Sequence, residues 1–356
     1  MIRTRSTATR RLAVVALAAF GVILSGCADN GSSSKPTTGA DAMTLNVGQT
    51  SNSVAFFPLF VAEDQGYFKA EGLALGDRPR MGTGAKLAAA LQAGSIDVAA
   101  GVMTDVFNLY KINPKTKLLG SLVNEYYVDI IAGPSIPAAL DQTPLAERVK
   151  GLKGKKIGIT GPGSGTEALV VYLLKQQGLD AKTDVTLVNL GSDASASIGA
   201  LKAHRVDALS FFQPIGQQAE ATGVGRIYIS PARGDVPELT GITHGAVFTT
   251  QPTIDRKGNA VAAFLRAIAS AEKTITDDPA KAKILMQKYQ ETINPTALEA
   301  FMPVLAKEIP STPTLPEEAY QKSATFHQNS GLLTEAPAYG SLVPSAWVAA
   351  ALADKG

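Results

Sequence analysis

The sequence contains one cysteine, Cys27, and three widely spaced histidines, His204, His244 and His327. A single cysteine excludes an intrachain disulfide, and histidines without thiol companions argue against a zinc centre, so we predict neither a metal nor a cofactor. Charged residues are also scarce, at 18% of the chain. When the four arginines of residues 1–26 are set aside, 29 basic residues (33 less 4) remain against 31 acidic ones. Such a surface is unsuited to nucleic acid, whose binding depends on many Lys and Arg contacts to phosphate.

The first 26 residues have the pattern of an export signal. A basic stretch ends at Arg11 and is followed by an uncharged apolar run from Leu12 to Leu24. This run is shorter than the ~20 residues that span a bilayer, and it fits the apolar part of a secretory signal peptide. It closes with Leu24-Ser-Gly-Cys27, which resembles the lipobox of bacterial lipoproteins. We predict a signal peptide over residues 1–26 and a palmitate-type lipid on Cys27; the alternative is an ordinary signal peptide with a chance cysteine.

Beyond Cys27, the composition and hydrophobic pattern of the chain change twice. Residues 27–42 have little to bury and are predicted to form a flexible tether. From Met43 onward, short β-branched runs such as 44–48 and 96–100 alternate with helical patterns such as 58–68. This alternation predicts an α/β fold with mostly parallel sheets covered by helices on both faces. The chain length suffices for two such units.

A second copy of the pattern begins near Leu152. There a predicted strand (156–160), a glycine-rich loop (161–165) and a helix (166–177) follow one another. The segment that ends the first copy, LQAGSIDV, matches LKAHRVDA in the second, and their aspartates Asp97 and Asp207 are 207 − 97 = 110 residues apart. Each aspartate is predicted to fix a strand start by binding turn amides. The repeat indicates two lobes with the same order of strands and helices.

The string from Pro58 to Leu73, PLFVAEDQGYFKAEGL, resembles a segment shared by the solute-binding proteins of ABC importers for nitrate, aliphatic sulfonates, taurine and thiamine-precursor pyrimidines. Further matches are ALQAGSID ending at Asp97, LKGKKI beginning at Leu152 and RVDA beginning at Arg205. The resemblance covers most of the chain after the tether.

This resemblance implies a type II periplasmic-binding-protein fold, with two α/β lobes joined by two crossover strands. We expect the crossovers near residues 128–133 and 243–249, so that lobe I comprises 43–132 plus 245–356 and lobe II comprises 133–244. It also implies a monomer that is not an enzyme. Such a protein captures a small solute, serves an ABC permease with its ATPase, and faces the periplasm or cell exterior from a lipid anchor on the membrane.

Ligands of α/β sheets lie at the carboxyl ends of the strands, where helix N-termini offer free N–H groups. The 161–165 loop is the strongest candidate, because its glycines bring the backbone close and the helix dipole favours negative charge; the alternative is plain helix capping by Ser164 or Thr166. Asp105 is predicted to bind a ligand amine or to cap a helix. The full candidate set is Gln49, Ser51, Asn52, Phe56, Thr83, Thr104, Asp105, Ser164, Gly165, Thr166, Gln213 and His244.

The nature of the solute is left open between two classes. Several sulfonate-type relatives carry a Trp and an acidic residue just before the proline that corresponds to Pro214, whereas this chain has the neutral string SFFQP. A sulfonate or taurine-like solute is favoured, and a neutral heterocycle such as a thiamine-precursor pyrimidine is the alternative.

Other classes of protein fit the sequence less well. GPGSGT, from Gly161, is a near miss to the dinucleotide fingerprint and lacks the lysine of a P-loop. A pyrimidine-synthase relative would need a cysteine-rich segment, and no cysteine follows Cys27. A signalling lipoprotein that kept the fold without transport stays an alternative.

Overall fold

The computed structural model describes residues 43–353. The strands of this range are β1 (Thr44–Leu45), β2 (Val47–Gln49), β3 (Ala74–Leu75), β4 (Val98–Val102), β5 (Thr116–Val123), β6 (Val128–Ala132), β7 (Lys156–Ile159), β8 (Thr186–Asn189), β9 (Ala208–Phe212), β10 (Arg226–Ile229) and β11 (Gly245–Thr250). The predicted signal peptide, Cys27 and the tether lie outside the described residues.

The α-helices of the same range surround these strands. They are α1 (Phe57–Asp64), α2 (Tyr67–Ala70), α3 (Gly84–Gln92), α4 (Met103–Ile112), α5 (Leu145–Lys150), α6 (Gly165–Gln176), α7 (Ala194–Lys202), α8 (Ile215–Ala221), α9 (Gln251–Asp277), α10 (Pro279–Tyr289), α11 (Pro295–Glu308), α12 (Glu317–Asn329), α13 (Tyr339–Leu342) and α14 (Ser345–Ala353). Within residues 43–353 no helix is both long and apolar enough to cross a bilayer.

Two mixed sheets form the centres of two lobes. The first has the order β2-β4-β11-β5 and the second the order β10-β6-β9-β7-β8, while β1 and β3 form a small parallel pair. In each large sheet one strand runs against the others: β11 is antiparallel to β4 and β5, and β6 is antiparallel to β9 and β10. Each reversed strand is the first one after the chain crosses between the lobes. This confirms the predicted α/β architecture of two lobes, although each large sheet is mixed, because its one reversed strand makes both of its pairings antiparallel.

The first crossover lies earlier than the sequence suggests. Residues 128–132, which we expected in lobe I, form β6, and its Val128 pairs with Phe212 of the second sheet. The chain therefore crosses at residues 124–127. All five residues of β6 are buried, and all of them except Asp129 are apolar. The sequence of this strand therefore fits the interior of either sheet. Hereafter lobe I denotes residues 43–123 and 245–353, and lobe II denotes residues 128–244.

Helix α9 supplies the main apolar face of lobe I. Its residues Val261, Phe264, Leu265 and Ile268 are fully buried, as their spacing predicts for an amphipathic helix. Phe264 stacks on Phe68 of α2 with the ring centroids 5.5 Å apart. Burial of one such aromatic side chain contributes roughly 1.5–3 kcal/mol, so this face fixes α2 and α9 against the first sheet.

The repeated aspartates occupy matching places in the two lobes. Asp97 Oδ2 accepts the N–H of Asn46 at 2.9 Å, and Asp207 Oδ2 accepts the N–H of Lys156 at 2.8 Å. The bonded amides belong to the start of the neighbouring parallel strand, and not to the local turn as we predicted. Each aspartate therefore locks the register of two strands, β2 with β4 in lobe I and β7 with β9 in lobe II.

Candidate functional site

A cleft of about 520 Å³ lies between the lobes at the carboxyl ends of the strands. Because β6 and β11 run in reverse, their amino ends reach the same edge and bring Tyr127, Val128 and His244 into the cleft. Lobe I adds residues of the β2–α1, β3–α3 and β4–α4 connections, and lobe II adds residues of the β7–α6 and β8–α7 loops. Both lobes and both crossovers therefore contribute to one cleft.

The lobe II wall is built around a chain of three hydroxyl groups. Thr166 Oγ1 lies 2.9 Å from Thr160 Oγ1 and 2.8 Å from Ser164 Oγ, and it also accepts the N–H of Thr160 at 2.9 Å. Two hydrogen bonds among three hydroxyls use two of the three protons, so one proton, on Thr160 or Ser164, is left. Both of these residues line the cleft. The loop can therefore donate a hydrogen bond to a bound oxygen.

Rigid contacts hold the N-terminus of α6 against this wall. Tyr126 donates its hydroxyl to the carbonyl of Gly165 at 2.6 Å, and Ser210 donates to the carbonyl of Thr166 at 2.7 Å. Ser164 also caps the helix, because its Oγ accepts the N–H of Glu167 at 3.3 Å. The first N–H groups of a helix have no acceptor within the helix, and the dipole favours negative charge there. Ser164 thus both caps α6 and lines the cleft.

On the lobe I wall, Asp105 provides the one carboxylate among the described residues that line the cleft. Its Oδ2 accepts the N–H of Val102 at 3.0 Å, so it closes the first turn of α4. A Cβ at Gly84 would lie 1.7 Å from Asp105 Oδ1, which explains why a glycine begins α3 there. Burial raises the pKa of Asp105 to about 6, although the Val102 amide opposes this shift. Near neutral pH the group is an anion that can accept a bond from a cationic solute group.

His244 connects the crossover to both walls. Its ring stacks on Tyr126 with centroids 4.0 Å apart, and its carbonyl accepts the N–H of Met103 at the start of α4. A Cβ at Gly165 would lie 2.9 Å from His244 Nε2, so the ring packs directly against the first residue of α6. Burial, with a smaller contribution from His327, lowers the pKa of His244 well below its usual value. The ring is therefore neutral.

Seven of the twelve predicted residues line this cleft, and one lies beside it. The seven are Ser51, Thr83, Asp105, Ser164, Gly165, Thr166 and His244. Asn52 lines an adjoining chamber, where its Oδ1 accepts a bond from Arg80 Nε at 2.5 Å.

The remaining four predicted residues serve the interior of the protein. Gln49 folds back to donate to the carbonyl of Ser51 at 2.7 Å, and Phe56 is buried in the lobe I core. Thr104 lies 2.8 Å from His327 Nε2, and Gln213 donates to Asp129 Oδ1 at 3.4 Å. Each is within one to three residues of a lining residue in the chain, and the local backbone geometry turns its side chain inward.

Several lining residues were missing from the predicted set. Asn108 of α4 donates to the carbonyl of Gly163 at 3.3 Å and so bridges the two lobes directly. It stands three residues after Asp105, which places both on one face of α4, and that spacing was the available signal. Tyr127, Asn189 and Ser192 also line the cleft. Among residues 43–353, no three His, Cys, Asp or Glu side chains gather in a way that could hold a metal ion.

The chain matches one protein family and is similar in sequence to a putative binding protein. A sequence model described as the NMT1-like family matches residues 39–288. The putative binding protein YtlA of Bacillus subtilis is 22% identical over 308 residues, which cover 84% of this chain and 87% of YtlA.

Solved structures share the fold at lower identity. The alkanesulfonate-binding protein SsuA from Xanthomonas axonopodis pv. citri, bound to MOPS, is 19% identical with a TM-score of 0.65, over 87% of this chain and 97% of that one. The nitrate-binding protein NrtA from Synechocystis PCC 6803 is 15% identical with a TM-score of 0.67, over 87% and 88%. A DszB mutant in complex with biphenyl-2-sulfinic acid is 16% identical with a TM-score of 0.61, over 87% and 99%.

Proposed function

Because the chain belongs to the NMT1-like family, we propose that it is an extracytoplasmic solute-binding protein that captures a small organic solute for an ABC importer. The observation that carries this proposal is the cleft of about 520 Å³, to which both lobes and both crossovers contribute. Cavities of this size suit small organic ligands. A cleft between lobes joined by two connections can also close around its ligand by a hinge motion, which a permease can recognise.

A sulfonate or taurine-like solute fits the chemistry of the two walls. The α6 N-terminus and the free hydroxyl proton of the 160–166 loop favour an anionic oxygen group, and the Asp105 carboxylate favours an amine. Taurine carries both groups at opposite ends of a short chain. A neutral heterocycle such as a pyrimidine is the second candidate, supported by Tyr127 and Phe212, whose rings line the same cleft.

A binding role is also favoured over an enzymatic one. A relative, YtlA, is named a putative binding protein, and within residues 43–353 no cysteine is available as a nucleophile. The solved structures of similar fold include both binding proteins and DszB, so fold alone does not separate the two roles.

Lipid attachment at Cys27 would keep this monomer beside its permease and ATPase. The pattern Leu24-Ser-Gly-Cys27 after an apolar run supports this anchor. The test is to compare the chain with a Cys27→Ser variant by palmitate labelling and membrane fractionation. Loss of both the label and the membrane association in the variant is expected, and retention of the label would exclude this site.

The solute can be identified directly. The Cys27→Ser chain is purified from its secreting host and denatured, and any released small molecule is identified by mass spectrometry. Compounds so found are returned to the protein in thermal-shift and small-angle scattering measurements. A released sulfonate or pyrimidine that raises the melting temperature and compacts the protein supports capture between lobes. If no solute is released and none of a library of sulfonates, amino-sulfonates and pyrimidines stabilises the protein, the signalling alternative is preferred.

A further inference from the structure

The cleft opens into a second chamber of about 430 Å³. Thr50, Ser51, Gly82, Ser192 and Phe212 line both spaces, so the inner cleft and this outer chamber form one continuous cavity. The outer chamber continues between the N-termini of α7 and α8 on one side and the residues around Arg80 on the other. Together the two spaces have more volume than a solute as small as taurine requires.

Arg80 is held in place on the lobe I side of the outer chamber. Its backbone forms a parallel bridge with Gln49 at the edge of the first sheet, and Met81 donates its N–H to the carbonyl of Gln49 at 2.8 Å. Its side chain is fixed by the bond from Nε to Asn52 Oδ1 at 2.5 Å. The bridge and this hydrogen bond orient the guanidinium along the chamber wall, although Arg80 and Asn52 are both exposed.

No carboxylate among the described residues pairs with Arg80. The neighbouring Arg78, by contrast, forms an ion pair with Glu63. On the opposite wall of the outer chamber, Asp193 is engaged as the N-cap of α7, where it accepts the N–H of Ala196 at 2.7 Å. The two Nη groups of Arg80 thus present a planar pair of donors, the arrangement that binds carboxylate, sulfonate or phosphate oxygens in a bidentate manner.

We infer that the outer chamber is a second subsite, in which Arg80 binds an oxyanion at one end of an elongated organic solute whose body extends past Phe212 into the inner cleft. This inference rests on the proposed solute-binding function and narrows the substrate class to organic acids longer than taurine. The apolar body of such a solute lies against Phe212 and the small side chains of α3, Ala85 and Ala88.

A different role for Arg80 gives different results in the same experiment. If Arg80 instead closes the lobes by pairing with Asp193, both side chains would matter equally for every ligand. The subsite requires Arg80 alone, and only for anionic ligands long enough to reach it. Asp193→Asn leaves an N-cap in place, because asparagine is as good a cap as aspartate.

The test uses ethanesulfonate, pentanesulfonate and the uncharged 1-pentanol as probes of the secreted Cys27→Ser chain, with calorimetric titration as the readout. We expect pentanesulfonate to bind more tightly than ethanesulfonate by about tenfold or more, because each buried methylene adds to the affinity. Arg80→Ala is expected to weaken pentanesulfonate by about ten- to hundredfold. Its effect on ethanesulfonate and 1-pentanol is expected to be less than about threefold, and Arg80→Lys should restore part of the loss.

Two matched controls complete the experiment. Arg256→Ala removes an exposed arginine of α9 that lines neither chamber, and it should leave pentanesulfonate binding unchanged. Asp193→Asn should leave the affinity unchanged or tighter. An equal loss in Arg80→Ala and Asp193→Asn with all ligands would establish a latch and overturn the subsite. Unchanged pentanesulfonate affinity in Arg80→Ala would overturn the subsite alone, whereas no sulfonate binding to the parent chain would overturn the proposed sulfonate-binding function as well.

Discussion

The two lobes share the same arrangement of strands and helices but place different charged groups in the cleft. Strand β4 (Val98–Val102) and helix α3 (Gly84–Gln92) of lobe I have counterparts in β9 (Ala208–Phe212) and α7 (Ala194–Lys202) of lobe II, and each counterpart lies 110 residues further along the chain. Both lobes line the inner cleft with hydroxyls, a carboxamide and a helix N-terminus, but among the described residues only lobe I adds a carboxylate, that of Asp105. The sheet register is therefore kept while the loops at the strand ends differ.

One turn illustrates how closely this arrangement is kept. Helices α3 and α7 both end in a residue with left-handed backbone, Gly94 with φ of 70° and His204 with φ of 55°. In both turns the next N–H reaches back to the helix, from Ser95 to the carbonyl of Ala90 and from Arg205 to that of Ala200. This is the common helix-ending motif in which glycine is favoured. Lobe II keeps the turn despite the cost of placing a histidine there, so the geometry matters more than the residue.

The largest expected change in the free energy of unfolding concerns Asp129, a buried acid on β6, the reversed strand of lobe II. Burial raises the pKa of Asp129 to about 7, although Gln213 opposes the shift by donating a hydrogen bond. The stability that this group contributes is therefore greatest below its unfolded-state pKa and is lost as the pH rises through the folded-state pKa. Each unit of difference is worth about 1.4 kcal/mol, so we expect a total loss on the order of 4 kcal/mol between about pH 4 and pH 7.

Asp129→Asn mimics the protonated acid and should remove that part of the pH dependence. Urea unfolding of the parent and the variant across this range measures the difference, in which the contributions of all other groups cancel. A difference that stays constant with pH would show that Asp129 is ionised in the folded protein.

The second prediction compares the two register-locking aspartates. Asp97 bonds the N–H of Asn46 and also pairs with Lys257 Nζ at 2.9 Å, whereas Asp207 bonds the N–H of Lys156 and the Ser135 hydroxyl. Asp97→Ala leaves a partly buried lysine unpaired and should cost about 3 kcal/mol. Asp207→Ala loses two hydrogen bonds and no close ion pair, and it should cost about 1.5 kcal/mol. Urea unfolding of both variants measures these costs, and equal losses would contradict the assigned role of Lys257.

The third prediction tests the two walls of the cleft separately, with one ligand that carries an amine and one that does not. Asp105→Asn should weaken taurine binding about tenfold, or about 1.4 kcal/mol, because it removes the partner of the amine. The same change should leave ethanesulfonate, which has no amine, unaffected or more tightly bound. Ser164→Ala should weaken both ligands to a similar degree. Calorimetric titration gives the four ratios, and an equal response of the two ligands to Asp105→Asn would exclude an amine at that wall.

The smallest effect tests the shared helix-ending turn. His204→Gly should stabilise the protein by about 0.5–1 kcal/mol, since glycine adopts the left-handed conformation without steric cost. Gly94→Ala, the matched change in lobe I, should destabilise it by about 1 kcal/mol. Thermal unfolding of the two variants measures both shifts. Shifts of the same sign would mean that the two turns are not equivalent.

These comparisons also show which features the sequence predicts. Periodicity and the repeated aspartates were sufficient for the strands and helices around Asp97 and Asp207. The glycine-rich loop lines the cleft, and ligand binding by it stays a prediction. Arg80 was missed because its position depends on a single bridge to Gln49, which leaves no periodic pattern. Phe56 was expected in the cleft, but the turn of the chain before α1 buries it, and Phe212 lines the cavity instead. Whether such a side chain faces the core or the cavity depends on the local backbone direction, and tertiary packing determines that direction.

The reversed strands also determine the order in which the molecule can be completed during synthesis. All five strands of the second sheet, from β6 to β10, lie within residues 128–229, so that sheet can form as soon as this stretch has left the ribosome. The first sheet cannot, because β11 lies between β4 and β5 and does not exist until residues 245–250 have been made. Until then β4 and β5 present unpaired edges, and unpaired edges invite aggregation. The part of the protein that is made first is thus finished last, and it is the part that would need a chaperone.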